Sequence, residues 1–393
     1  MKHPFIAKRY WKDQKTPMGD SDELAKSFDD VIDLSLGDPD QTTPESVINA
    51  AFEDAKAGHT KYTDFRGDPE LREAIRKMYF EDFNLQFSDR EIMVTASACL
   101  GMYLALEAII DDGDEVIIHE PCFTPYPQQI RLARGIPVPL DTFEEDDFEI
   151  DPQRLESLIT ERTKALVINT PNNPTGTSFS KETLETVAEV AKKHELILIA
   201  DEIYGAYSYQ REFVPMASIP GMKERTITIN SFSKDYTMTG WRVGHVIAPD
   251  FIIETIQQIN ENVVFTAPSV SQRAALHALR QRKTIQPPMV EEYQDRVLHA
   301  AKRINKLNNM SVLPPKGTFY LFPNIKDTGL TSKEISDRIL QEAHVLTLPG
   351  DAFGKSGEGY IRIACTVGVD KLEEAFDRIE KIDLFQQSPK SIL

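Results

Sequence analysis

The stretch KALVINTPNNPTGTSFSKETLETVAEVAKKHELILIADEIYGAY (residues 164–207) decides the architecture. KALVIN (164–169) is a short apolar run that reads as a strand. A turn rich in Pro, Asn and Gly follows, and KETLETVAEVAKKH (181–194) has helical spacing. LILIA (196–200) returns as a second apolar strand, closed by Asp201. A strand, a helix and a strand of these lengths indicate a parallel sheet covered on both faces. Ligands of open α/β sheets bind beyond the carboxyl ends of the strands. NTPNNPTG (169–176) and DEIYGAY (201–207) both lie there. The first could be only a turn. Asp201 could cap a helix, or be a partly buried carboxylate awaiting a cation, because burying an unpaired charge is costly.

The same alternation extends outward. IMV (92–94) leads into a helical region from about Leu100 to Ile110, and EVIIH (115–119) into one from about Pro125 to Ala133. TITIN (226–230) and VGHVI (243–247) add two further short strands. The spacing therefore predicts an α/β fold with a mainly parallel central sheet over roughly 90–250. Upstream, IDLSLGDPD (32–40) reads as a strand entering a turn. Asp68 caps a helix with Pro69 at its first position and Leu71, Ile75, Met78 and Tyr79 on one face. After Asp250 the pattern becomes long helices to about 309, with a Pro-Pro step at 287–288 expected to bend or break the run. Short strands at 318–322, 345–348 and 360–364 alternate with helices at 332–342 and 369–384, which reads as a smaller α+β domain. With 393 residues, two domains are the default. The expected division is a large domain over 45–280 and a small one formed by 1–44 with 281–393.

Composition sets limits on function. The 44 basic and 62 acidic side chains give a net charge of −18, which disfavours nucleic acid or an anionic membrane surface as partner. The three cysteines, Cys99, Cys122 and Cys365, have no metal-ligand spacing and imply no disulfide framework. MKHPFIAKRYWKDQ at the N-terminus lacks the apolar run of a signal peptide, and no stretch is long enough to span a bilayer. A cytoplasmic location is the expectation.

The segment richest in chemistry is SFSKDYTMTGWRVG (231–244). A lysine in a polar loop is usually a solvated side chain. Lys234, however, follows a strand, sits among hydroxyls and precedes Arg242. In GYIRIA (359–364), Arg362 lies inside an apolar strand, a costly position for an unpaired cation. Together with IDLSLGDPD, KYTDFRG, NTPNNPTG and DEIYGAY, these segments resemble the class I/II aminotransferases of pyridoxal-phosphate fold type I, in the family's order and approximate spacing from about residue 30 onward. The resemblance implies a three-layer α/β fold and pyridoxal 5′-phosphate as cofactor.

It also implies roles, residue by residue. Lys234 would hold the cofactor as a Schiff base and, once freed, move a proton as a base. Asp201 would lie beneath the pyridine nitrogen and keep it protonated. Asn173 and Tyr204 would hydrogen-bond the cofactor 3′-oxygen. Ser231, Ser233 and Arg242 would bind the phosphate, with backbone N–H groups of Ser97, Ala98 and Cys99 at a helix start; relatives often have glycine at Ser97 or Ala98. Phe123 would stack on the ring. Arg362 would grip the substrate α-carboxylate as a planar fork, near Gly37 and Asn173. Tyr62 would reach the phosphate of a neighbouring subunit, implying a homodimer. Cys99 also stands where aspartate-specific relatives carry a lysine, so an apolar or aromatic amino donor is expected over aspartate. The expected reaction moves an amino group from an L-amino acid to a 2-oxo acid, 2-oxoglutarate foremost. A carbon–sulfur β-lyase on the same fold and a non-catalytic regulatory protein are the alternatives.

Overall fold

The computed structural model describes residues 3–7 and 25–386. The first strand among the described residues is β1 (Ile32–Asp33). Seven strands then build the central sheet: β2 (Ile92–Thr95), β3 (Glu115–Glu120), β4 (Ile136–Asp141), β5 (Thr163–Asn169), β6 (Ile197–Asp201), β7 (Thr226–Ser231) and β8 (Gly244–Ile247). Their spatial order is β2-β8-β7-β6-β5-β3-β4. All neighbours are parallel except β8, which runs antiparallel to both β2 and β7. β4 escaped the sequence reading because Pro137 and Pro139 interrupt it. Proline donates no ladder hydrogen bond, and β4 is accordingly an edge strand paired only with β3.

Both faces of the sheet are covered, and the period-two alternation shows it. Val116, Ile118, Val167 and Ile199 pack with the helices Ala98–Ile109 and Asp250–Val263. Ile117, Leu166, Ile168 and Leu198 pack with the helix Lys181–Lys193 on the other side. Three layers result. The expected Asp68 cap is present, accepting from the Glu70 N–H at 2.8 Å, and Ser180 also caps its helix, accepting from the Thr183 N–H at 3.1 Å.

Downstream, β9 (Tyr320–Leu321), β10 (Val345–Leu346), β11 (Leu348–Pro349) and β12 (Ile361–Ala364) follow. β12 lies between β11 and β9, antiparallel to both, while β1 pairs in parallel with β10. The N-terminal strand thus joins the C-terminal elements.

The Pro-Pro step corrects one expectation. Helix Ser269–Ile304 runs unbroken for 36 residues with Pro287 and Pro288 inside it. Pro287, Pro288, Lys283 and Thr284 are all exposed, so the carbonyls that lose their helical partners can face water. The helix also changes company along its length. Ala274, Leu276 and Ala278 pack with Val47 and Leu71, whereas Tyr293, Val297 and Ile304 pack with Phe319, Ile361 and Phe376.

Candidate active site

The carboxyl ends of β5, β6 and β7 deliver Asn169, Asp201 and Ser231 to one edge of the sheet, and the short helix Phe232–Asp235 places Lys234 just beyond. Two adjoining cavities open there. One, of about 360 Å³, is lined among others by Gly37, Asn173, Tyr204, Tyr320, Phe353 and Arg362. The other, of about 160 Å³, is lined among others by Ser97, Ala98, Cys99, Ser231, Ser233 and Arg242. Phe123, Tyr126, Asp201, Ile203 and Lys234 border both.

Lys234 Nζ donates to the Gly37 carbonyl. Burial pushes its ammonium down to about 8; Asp38 opposes the shift, and Arg362 and Arg242 add to it. Asp201 is buried, and its partners are neutral. The Tyr126 hydroxyl donates to Oδ2 at 2.5 Å and the Ile203 N–H to Oδ1 at 3.3 Å. Burial raises its carboxyl to about 6, with the Tyr126 and Ile203 hydrogen bonds pulling the other way. A carboxylate so placed is strongly stabilised by an approaching cation.

At the other end, Arg362 is buried at 5% exposure. One terminal nitrogen donates to Asn173 Oδ1 at 2.9 Å and the other to the Ser35 carbonyl, while its buried Nε has no hydrogen-bond partner among the described residues. Its guanidinium lies 4.5 Å from the Tyr320 ring centroid and 4.8 Å from that of Phe353. Burial pulls its pKa below the ordinary arginine value. Asn173 is itself held by its N–H donating to Asn169 Oδ1 at 2.9 Å. The Tyr204 hydroxyl donates to that of Tyr320 at 3.2 Å.

The Arg242 end is built largely from backbone. Ser97 caps the helix Ala98–Ile109, accepting from the Leu100 N–H at 3.2 Å, and adopts φ 113°, a conformation that favours glycine. Neighbouring Gly244 is required by close approach: a Cβ there would come within 2.6 Å of the Ala98 nitrogen. Arg242 is exposed and donates to the Thr239 carbonyl at 2.7 Å.

Thirteen of the residues named from the sequence thus border the joined cavities, and Tyr62 lies outside both. It is 80% exposed, with its ring 4.8 Å from Phe265. Cys99 borders the Arg242 cavity and not the Arg362 cavity. Its helix starts at the end of β2, beside β8, which follows Arg242 in the chain. Cys99 thus faces the adjoining cavity that carries Arg242. Gln129 Nε2 donates to its carbonyl at 2.8 Å.

Sequence reasoning missed Tyr126, Gln129, Tyr320 and Phe353. Tyr126 and Gln129 lie on the helix Pro125–Leu132 that the spacing predicted, and the three-residue step from Tyr126 to Gln129 was the available signal. Tyr320 and Phe353 read simply as apolar core.

A lysine, a buried carboxylate, a hydroxyl- and backbone-rich recess and a buried arginine at the carboxyl edge of a three-layer sheet define a pyridoxal-phosphate enzyme of fold type I. The chain belongs to the aminotransferase class I and II family, whose pattern matches residues 29–379. It is 43% identical over 364 residues to an aspartate aminotransferase of Pyrococcus abyssi, covering 92% of this chain and 93% of the relative. It is 39% identical over 364 residues to the aromatic-amino-acid aminotransferase 2 of Thermococcus litoralis, with the same coverage of each chain. The solved aromatic aminotransferase of Pyrococcus horikoshii OT3 superposes with a TM-score of 0.88 at 40% identity, covering 92% of this chain and 98% of that one. The protein is accordingly a pyridoxal-phosphate-dependent aminotransferase acting on amino and oxo acids. The residues present fit that cofactor: buried Asp201 has only neutral partners and suits a ring cation. No helix among the described residues is long and apolar enough to cross a membrane.

Proposed function

We propose that the enzyme takes the amino group of an apolar or aromatic L-amino acid and passes it to a 2-oxo acid, 2-oxoglutarate foremost. The observation that carries the donor class is the wall of the Arg362 cavity. Beyond Arg362 and Lys234 it is bordered by Leu36, Phe123, Ile203, Tyr320 and Phe353, with no further cation for a distal carboxylate among the described residues.

Bound pyridoxal phosphate supplies a carbonyl carbon that carries the amino group and a ring that draws electrons from the substrate Cα. Lys234 Nζ would anchor it, and its amine, with its proton affinity lowered by burial, would serve as the base that holds and moves the proton at the substrate Cα. Asp201 holds the proton on the ring nitrogen. Tyr204 donates to the ring oxygen. Asn173 does so through its amide nitrogen, because its Oδ1 is engaged by Arg362. Ser231, Ser233, Arg242 and the backbone of Ser97, Ala98 and Cys99 hold the phosphate. Phe123 covers one ring face and excludes water. Arg362 grips the substrate carboxylate, with Gly37 beside it.

Two copies complete the site. Tyr62, exposed and outside its own chain's cavities, reaches the phosphate of the partner subunit in a homodimer. The large domain spans 45–280 and the small one 1–44 with 281–393, a division supported by the change of packing partners along Ser269–Ile304.

The test mixes each amino acid with the cofactor-loaded enzyme, follows the cofactor spectrum and identifies the oxo acid product. Phenylalanine, tyrosine or leucine should show kcat/KM well above aspartate. A strong aspartate preference would overturn the donor class, and pyruvate with ammonia from cystathionine would replace the reaction with a lyase.

A further inference from the structure

Tyr320 touches both halves of the chemistry, although nothing in its sequence context marked it. Its ring is one of two aromatic rings against Arg362, with centroid distances of 4.5 Å to Tyr320 and 4.8 Å to Phe353. Its hydroxyl meets that of Tyr204 at 3.2 Å. The backbone leaves room for this hydroxyl only because residue 37 is glycine: a Cβ there would fall 1.6 Å from the Tyr320 oxygen. Gly37 is also the residue whose carbonyl receives Lys234 Nζ. Tyr320 is 2% exposed, so neither contact is shared with bulk water.

We infer that Tyr320 is a positioning residue with two separable roles: its ring fixes the Arg362 fork that binds the substrate carboxylate, and its hydroxyl supports Tyr204 in donating to the cofactor. This rests on the cofactor and substrate reading above. A guanidinium held against two desolvated aromatic rings keeps its plane, and with two nitrogens engaged by Asn173 and Ser35 it presents Nε in one direction. A hydroxyl both donates and accepts, so the tyrosine pair can reverse. With Tyr320 donating, the Tyr204 proton is released for a ligand oxygen, and the chain of two hydrogen bonds strengthens each. Phe353 has the first role without the second.

The experiment compares Tyr320→Phe, Tyr320→Leu and Phe353→Leu in the cofactor-loaded enzyme with two readouts. One is the pH midpoint of the cofactor's visible absorbance band. The other is the Kd of 3-phenylpropionate, an unreactive carboxylate. Tyr320→Phe, which changes no packing volume of note, should raise the midpoint by about 0.5 unit and leave Kd within about twofold of the unmodified enzyme. Phe353→Leu should weaken Kd about tenfold with no change of midpoint. Tyr320→Leu should do both. An unmoved midpoint in Tyr320→Phe overturns the hydroxyl role. An unmoved Kd in Phe353→Leu overturns the ring role, even if Tyr320→Leu fails to fold. If the unmodified enzyme shows no cofactor band at all, it is the functional reading that falls, not this assignment.

Discussion

The two ends of the joined cavity are built on opposite plans. At the Arg362 end, a buried cation is held by two aromatic rings, the Asn173 side-chain oxygen and one backbone carbonyl, that of Ser35. At the Arg242 end, the lining is the start of the helix Ala98–Ile109, the hydroxyl residues Ser97, Ser231, Ser233 and Thr239, and an exposed arginine. On the proposed function, the difference follows from what each end would hold. A cofactor phosphate stays bound, so many modest donors suffice and water can reach the rim. A substrate carboxylate arrives and leaves every turnover, and its one contact has to be pre-aligned, which is where a fixed, desolvated fork contributes most. Lys234 lies between them and borders both cavities.

The largest effect expected from breaking this contrast is at Arg362. Arg362→Leu removes a buried charge-assisted contact and should lower kcat/KM by about 10²–10³-fold while leaving cofactor affinity within a few-fold. Arg362→Lys should recover little of the loss, since a point charge does not replace the fork. Steady-state kinetics with a good donor, beside a cofactor titration of each apoenzyme, separates the two ends. Equal losses in both measurements would erase the distinction.

A smaller effect concerns the lysine between them. Its amine must be neutral to attack the cofactor aldehyde, and burial favours the neutral form by lowering its pKa to about 8. The rate at which apoenzyme captures pyridoxal phosphate should therefore rise with pH and level off above about 8. A rate still climbing towards 10.5, the ordinary lysine value, would show that the amine is not perturbed. Stopped-flow absorbance across pH 6–10 reads this directly.

The smallest effect is at the backbone-built end. Ser97 holds φ 113° at the helix cap. Ser97→Gly loses a cap worth only a few tenths of a kcal/mol against glycine and relieves roughly 1 kcal/mol of backbone strain. The apoenzyme Tm should rise by about 1–2 °C. A fall would mean that the Ser97 hydroxyl outweighs the strain.

This contrast also explains what the sequence made legible. The alternation of KALVIN, LILIA and TITIN with helices is a strong periodic signal, and the large sheet follows from it. Lys234, Asp201 and Arg362 stood out because a charged or acidic group beside an apolar strand demands a reason. Tyr126, Tyr320 and Phe353 gave no such signal, since an aromatic in an apolar run is ordinary core. Their function lies in which polar group they face, and that is decided by contacts far apart in sequence, as between Tyr204 and Tyr320. β4 and the unbroken helix through Pro287 and Pro288 were hidden for a related reason: whether proline is tolerated depends on edge position and solvent, which only the assembled chain provides. Cys99 lines the cavity that also holds Arg242, a placement that sequence position alone does not give.

The proposed chemistry depends on Lys234 as the anchor. The direct measurement is reduction of the cofactor-loaded enzyme with borohydride, followed by digestion and mass mapping of the modified lysine, with Lys234→Ala in parallel. The expected result is a single phosphopyridoxyl group on Lys234, absent from the variant, whose turnover falls by about 10⁴-fold or more. The group on another lysine, or a variant that still forms the covalent link and turns over, would contradict the account.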